Sequence, residues 1–309
     1  MGAKKGSWLD KYLLSFAISL LRVLPYRTAL AWGSLMGRVL WLFNWRKVNR
    51  AEARCVCALG VGVTLARGIV ASSYVNLGRS VVEFARMDKL GDKLSSLVAI
   101  EGKEILDEAL ARGKGVLMMT AHIGNWELAG ARLVHEGYSL APIYTPQRDR
   151  GGMEGLIYRQ RTEVAGLRII PSEGMGLRKA FRTLRSEGIL VFLQDLDARK
   201  DGICIPFLGM LASTATGMVS MYRKFGSPVV AAVVVRDPDG VHHTIHVQEI
   251  LSDLRDEDGN PFGTDVEKSL RICNNILGKW VATYPDQWMW LLDKWEFASR
   301  LESRGREAI

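Results

Sequence analysis

The sequence predicts an α/β fold with a mixed central sheet flanked by helices, preceded by an N-terminal apolar helical membrane anchor. Three observations lead there. Short apolar runs that end in polar turns alternate with longer stretches of helical period, the pattern of strands and crossover helices. The run Gly115-Val116-Leu117-Met118-Met119 is continuously apolar, as a strand covered on both faces must be. The first fifty residues combine long uncharged apolar runs with a concentration of basic groups. The expected organisation is a basic, apolar anchoring segment over 1–50 and an α/β domain over 51–309.

Composition narrows the function. A hydrophobic fraction of 48% and a charged fraction of 24% are those of a globular chain, and 309 residues suffice for a large core. Lys4, Lys5, Lys11, Arg22, Arg27, Arg38, Arg46, Lys47 and Arg50 face only Asp10 in the first fifty residues, which accounts for the whole net charge of +8. The remainder is balanced, which argues against the all-over basic surface of a general nucleic-acid binder. Cys55, Cys57, Cys204 and Cys273 fit neither a zinc spacing nor a disulfide framework, so no metal is expected and a reducing compartment is.

Taken in order, the chain begins with uncharged runs at 12–21 and 28–37, separated by Pro25 and Arg27. Each is shorter than the ~20 residues of a plain span; extending the first to 8–24 approaches that length, with Asp10, Lys11 and Arg22 near the ends. Lys4-Lys5 ahead of an apolar run outlines a signal peptide, but no small-residue cleavage site follows. The expectation is an uncleaved anchor, as one span or as two helices in the interface; the alternative is an amphipathic helix pair packed on the domain. Basic groups near anionic lipid contribute roughly 1 kcal/mol each, which favours the cytoplasmic leaflet. Gly33-x-x-x-Gly37 matches a helix-packing pattern.

Residues 63–90 read as a helix with Ile69, Tyr74, Leu77, Val81 and Phe84 as its apolar points, and 105–112 as a shorter one closed by Gly113. The strand 115–119 follows, then the turn Ala121-His122-Ile123-Gly124-Asn125, and a helix from Trp126 to Gly137 with Asn125 as N-cap. Further strands are expected at 139–144, 168–170, 189–193, 228–236 and 241–247, and further helices at 154–164, 177–186, 213–225 and 265–283. His242, Thr244 and His246 share a face of the last strand, read as solvated and polar because a metal site would lack a fourth partner. No internal repeat or low-complexity linker is present.

The chemistry centres on His122 and Glu127, at the carboxyl end of a strand, where ligands bind in open α/β sheets. Residues five apart on one helix sit about 140° apart at ~100° per residue, so the two can meet only across a turn, and Gly124-Asn125 supplies one. A neutral histidine can take a hydroxyl proton at physiological pH, and a carboxylate on its other nitrogen fixes the tautomer. The same spacing also fits a capping histidine beside a solvated first-turn acid. A second acidic turn, Gln194-Asp195-Leu196-Asp197, ends the strand at 189–193. There is no Gly-x-Ser-x-Gly elbow, no P-loop and no Gly-x-Gly-x-x-Gly after a strand. Serine hydrolysis, nucleotide hydrolysis and dinucleotide redox chemistry lose ground, and no cofactor is expected.

Ile100-Glu101-Gly102-Lys103-Glu104 through His122-Ile123-Gly124-Asn125-Trp126-Glu127 resembles the bacterial lipid A biosynthesis (late) acyltransferases. These belong to the glycerolipid acyltransferase group, marked by His, four residues, then an acid. Arg159-x-Arg161 resembles the family's basic helix, and Gln194-Asp195-Leu196-Asp197 with Ile205-Pro206-Phe207-Leu208-Gly209 resembles its "D-x-D … P-F-F-G" segment. Thr214-Ala215-Thr216-Gly217 and Pro285-Asp286-Gln287-Trp288-Met289-Trp290 resemble two later blocks. One departure is Leu292-Asp293-Lys294, where the family often has His-Arg-Arg.

The resemblance implies transfer of a fatty acyl group from acyl-carrier protein to a hydroxyl of a lipid A precursor at the bacterial inner membrane, with the catalytic domain facing the cytoplasm. It implies His122 as general base oriented by Glu127, with Arg159 and Arg161 binding phosphate or stabilising the oxyanion. Asp195 and Asp197 would bind sugar hydroxyls or pair with these arginines. Arg178, Lys179, Arg182 and Arg185 are the expected docking face for the acidic carrier. Partners are the carrier protein, the glycolipid and membrane lipid, without nucleic acid. The alternatives are another glycolipid, such as a mannosylated phosphoinositide, a phospholipid acceptor, or a non-catalytic membrane-associated binding protein.

Overall fold

The computed structural model describes residues 21–144, 153–171 and 176–307. The first apolar run therefore lies almost entirely outside the described residues. The second forms helix α1 (Tyr26–Phe43), followed by α2 (Trp45–Leu59) and α3 (Val63–Ala85). On α1 the small residues Ala29, Gly33, Ser34 and Gly37 are buried. They let its backbone touch that of α3: a Cβ on Gly37 would lie 2.2 Å from the Tyr74 carbonyl oxygen. The Gly33-x-x-x-Gly37 pattern thus packs one helix of the chain on another, and Val48 of α2 joins the core. The opposite side of α1 leaves Trp32, Leu35, Met36, Val39, Leu40 and Phe43 exposed. Among the described residues no single helix is long and apolar enough to cross a membrane.

α3 spans much of the length expected for residues 63–90, and Ile69 and Tyr74 are buried as expected, but the rest of its buried face is shifted. Val70, Tyr74, Gly78 and Val82 face inward together with Glu83, and Val81 points out. Glu83 has no exposed surface and receives Arg236 at 2.7 Å on both oxygens, Tyr26 at 3.0 Å and Asn125 at 2.7 Å. Burial alone would raise its carboxyl, but the bonds from His243 and Arg236 hold it at about 2. The helix thereby accommodates a charge where the apolar period suggested none.

Then follow β1 (Val98–Glu101), α4 (Lys103–Ala111), β2 (Val116–Thr120), α5 (Trp126–His135), β3 (Leu140–Tyr144), α6 (Met153–Arg159) and β4 (Ile170–Pro171). The chain continues through α7 (Gly176–Arg185), β5 (Ile189–Leu193), β6 (Gly202–Phe207), β7 (Met210–Ala215), α8 (Gly217–Phe225), β8 (Val229–Arg236), β9 (His243–Ile250), α9 (Val266–Thr283) and α10 (Glu296–Glu307). The main sheet runs β1-β9-β8-β2-β5-β3-β4, parallel throughout except for the β8–β9 pair. The α/β class with helices flanking a mixed sheet is therefore as the sequence predicts.

Residues 213–215 depart from the expected helix. They belong to β7, which pairs antiparallel with β6 in a separate two-stranded ribbon, and the helix begins only at Gly217. The ribbon turns at Leu208-Gly209, both with positive φ (49° and 77°), the backbone that a two-residue hairpin loop needs. Alternation in β8 places Val229, Ala231, Val233 and Val235 against α3 and α9, and Val230, Ala232 and Val234 against the α5 side. Both faces of the sheet are covered, which explains why β8 and β2 read as unbroken apolar runs.

Candidate active site

β2 delivers His122 two residues beyond its last strand residue, and neighbouring β5 does the same for Asp195. Thr120 pairs with Leu193 in the parallel register, so His122 and Asp195 stand opposite each other at the carboxyl edge. The His122 Nδ1–H donates to Asp195 Oδ1 at 2.9 Å, and the His122 backbone N–H donates to Oδ2 at 2.8 Å. The Trp288 indole N–H donates to that same Oδ2 at 2.8 Å. Asp195 has no exposed surface. Burial acts to raise its carboxyl, but His122 and the donated hydrogen bonds bring it below the usual carboxylate range. An ionised carboxylate only accepts, so the proton of neutral His122 sits on Nδ1 and Nε2 carries the free lone pair.

The expected contact of His122 with Glu127 gives way to this arrangement. Glu127 opens α5 and receives Arg161, with Nε at 3.0 Å from Oε2 and Nη2 on Oε1, while the Trp126 indole donates to Oε1 at 3.1 Å. The turn is fixed in another direction. Asn125 caps α5 by accepting from the Leu128 N–H, and its amide donates to Glu83. Gly124 has φ +61°, and a Cβ there would lie 2.4 Å from the Val234 carbonyl oxygen. The block 285–290 clasps the loop: Gln287 accepts from Gly124 N–H, and Met289 N–H donates to the His122 carbonyl at 3.0 Å.

The remaining expected site residues separate. Arg161 comes to the site, in the π-helical turn 160–164 after α6, with its guanidinium over the Tyr144 ring. Arg159 does not; it is exposed and pairs with Glu163, because positions two apart on a helix face different ways. Asp195 holds the histidine, with its oxygens occupied by the donors above. Asp197 accepts from the backbone N–H of Phe297 at 3.0 Å, within the first turn of α10, and from Arg199 N–H at 2.9 Å. Both aspartates are thus engaged by the protein itself. His242 and His246 pair with Asp239 and Glu101, and among the described residues no cluster could hold a metal ion. Trp288 and Glu83 were not legible as site residues; the only sequence signal was the tryptophan block itself.

A cavity of about 270 Å³ opens beside the histidine, between α5 and the sheet. Met118, Leu133, Leu140 and Val191 line it, with His122, Glu127 and Arg161 as its polar groups. A larger hollow of about 790 Å³ lies on the other face of the sheet, at the end of β8 and against α1 and α3, and includes Arg38, Trp41, Asn76 and Arg79. Along α7, Arg178, Arg182 and Arg185 surround Phe181 at a separate surface hollow. A base with an orienting carboxylate, an arginine and an apolar slot can bind a chain-bearing substrate and accept a proton from a hydroxyl.

Site and fold together define an α/β enzyme class with a histidine–carboxylate pair at the sheet edge. The chain matches the family model described as bacterial lipid A biosynthesis acyltransferase over residues 3–296, and it belongs to that family. It is similar to a phosphatidylinositol mannoside acyltransferase of Mycobacterium tuberculosis, 29% identical over 163 residues, which cover 50% of this chain and 49% of that protein. A phosphatidylinositol mannoside acyltransferase of Mycolicibacterium smegmatis is 24% identical over 232 residues, 72% of this chain and 70% of that protein. The chain thus spans about half the length of the tuberculosis relative.

Proposed function

We propose that this protein transfers a fatty acyl group from a carrier thioester to a hydroxyl of a glycolipid, with His122 as general base. The observation that carries this is the Asp195–His122 hydrogen bond, with the imidazole on the wall of the apolar cavity. The acyl chain lies along Met118, Leu133, Leu140 and Val191. His122 Nε2 takes the acceptor's hydroxyl proton as the oxygen attacks the thioester carbonyl. The tetrahedral oxyanion collapses, the C–S bond breaks, and the thiolate leaves with the proton from Nε2. Arg161 is the cation placed to face the oxyanion, its charge partly balanced by Glu127. No covalent acyl-enzyme is required, since the thioester is already activated.

The acceptor is a lipid A precursor on the reading the family suggests. A mannosylated phosphoinositide is the second reading, favoured by what the two mycobacterial relatives are named for. In either case the acceptor hydroxyl reaches His122 at the mouth of its cavity, and the acidic carrier protein docks on the arginines of α7. The exposed apolar face of α1 and its basic neighbours hold the enzyme on the cytoplasmic leaflet of the inner membrane. The test is transfer of radiolabelled acyl groups from acyl-carrier protein to a panel of lipid A precursor, phosphatidylinositol mannoside and phospholipid. Product with one glycolipid, abolished by His122→Ala, is expected. Product only with phospholipid, or full activity in His122→Ala, would overturn the reading.

A further inference from the structure

Lys294 is buried without exposed surface. Its Nζ donates to three backbone carbonyls, Leu196 at 2.9 Å, Ser213 at 3.1 Å and Gln194 at 3.2 Å. All three ammonium protons are thereby used on backbone oxygens, none on a carboxylate. Two of those oxygens belong to the residues on either side of Asp195, so the cation sits against the turn that carries the carboxylate.

Asp195 needs such a neighbour. Its three donors, the His122 backbone N–H, the His122 Nδ1–H and the Trp288 indole, are all neutral while His122 is a free base. An ionised carboxylate without a counter-charge is strongly disfavoured in a buried site. The other charged groups around the pair are already engaged. Glu127 and Arg161 bind each other on the cavity side. Asp293 binds Arg54, and Asp197 accepts from backbone. Burial lowers the Lys294 amine, against the pull of Asp195 and Asp197, while three carbonyl acceptors around Nζ suit the ammonium form.

We propose that Lys294 is a positioning residue for the base, whose buried charge balances Asp195 so that the carboxylate orients His122 without trapping a proton on it. This rests on the reading of His122 as the base. Without the lysine charge, the most accessible compensation for Asp195 is protonation of His122. The resulting imidazolium pairs with Asp195 and leaves Nε2 no lone pair to accept the substrate proton. A purely structural role for Lys294 predicts no such change in proton affinity.

The test is an NMR titration of the His122 imidazole, assigned by its absence in His122→Ala, in wild type, Lys294→Gln and Lys294→Arg. Glutamine keeps two donors for the backbone oxygens and loses the charge; arginine keeps the charge. The expected result is a His122 midpoint raised by about one pH unit or more in Lys294→Gln and near wild type in Lys294→Arg. The acid limb of kcat/KM should move with it, with activity recovering at high pH. If Lys294→Gln unfolds, Lys294→Met makes the same measurement. An unmoved midpoint, or unfolding of every uncharged variant while Lys294→Arg folds with a shifted midpoint, would overturn the proposal. The titration requires no turnover, so a protein without transferase activity would refute the function while still testing Lys294.

Discussion

Asp195 Oδ1 lies 2.9 Å from His122 Nδ1, although the two residues are 73 positions apart in sequence. Parallel pairing of β2 with β5 is what joins them, since strands in register bring residues equally far past their ends to the same level. The carboxylate also takes the His122 backbone N–H, so side chain and main chain are fixed by one group.

That geometry separates the two acids by their kinetic effects. Asp195→Asn is expected to lower kcat by roughly 10²- to 10⁴-fold with little change in KM, because it removes the tautomer-fixing acceptor. Glu127→Gln instead releases Arg161, and the larger share of its effect should fall on KM. Steady-state kinetics of both purified variants, with circular dichroism as a folding control, decides this. Equal losses confined to kcat would return Glu127 to the orienting role.

The buried Glu83 makes stability sensitive to acid. Its folded value of about 2 lies below the ordinary 4.5, so its contribution is complete above pH 4.5 and is lost as pH falls through 2. At 1.36 kcal/mol per unit the contribution is on the order of 3 kcal/mol. Glu83→Gln should be less stable at pH 7, since Arg236 is left without its carboxylate, and should show a flatter fall between pH 4.5 and 2. Urea unfolding across that range measures both effects.

The proposed membrane attachment through α1 predicts loss of vesicle binding when its outer face is made polar. Leu35, Val39 and Phe43 are exposed. Burial of a large apolar side chain is worth about 1.5–3 kcal/mol, so replacing all three by serine should weaken partitioning by roughly 1000-fold or more. Co-sedimentation with anionic vesicles measures it, and salt should weaken wild-type binding through Arg27, Arg46 and Lys47. Unchanged sedimentation of the triple variant would exclude this face.

Much of the fold was readable in the sequence because its signals are local. The apolar runs of β2, β5 and β8, the N-cap Asn125 and the helix 265–283 each follow from neighbouring residues. The β6–β7 ribbon was misread because Ser213 to Ala215 adjoin a helical stretch, and only pairing with Cys204, Ile203 and Gly202 makes them a strand. Glu83 escaped notice because a buried acid in a helix is recognisable only by its partners, Arg236 and His243, more than 150 residues away.

The sequence by itself determined that His122 would stand at the end of a buried strand, just before a capped helix, with acids within reach. Periodicity and turn chemistry act over a few residues and suffice for that. Tertiary structure alone decided which acid reaches the imidazole. Asp195 sits at a matching level on the adjacent strand, whereas Glu127 turns with α5 toward Arg161. It also placed Lys294 behind that carboxylate. Strand register and charge balance in a buried site depend on residues far apart in the chain, and no local pattern encodes them.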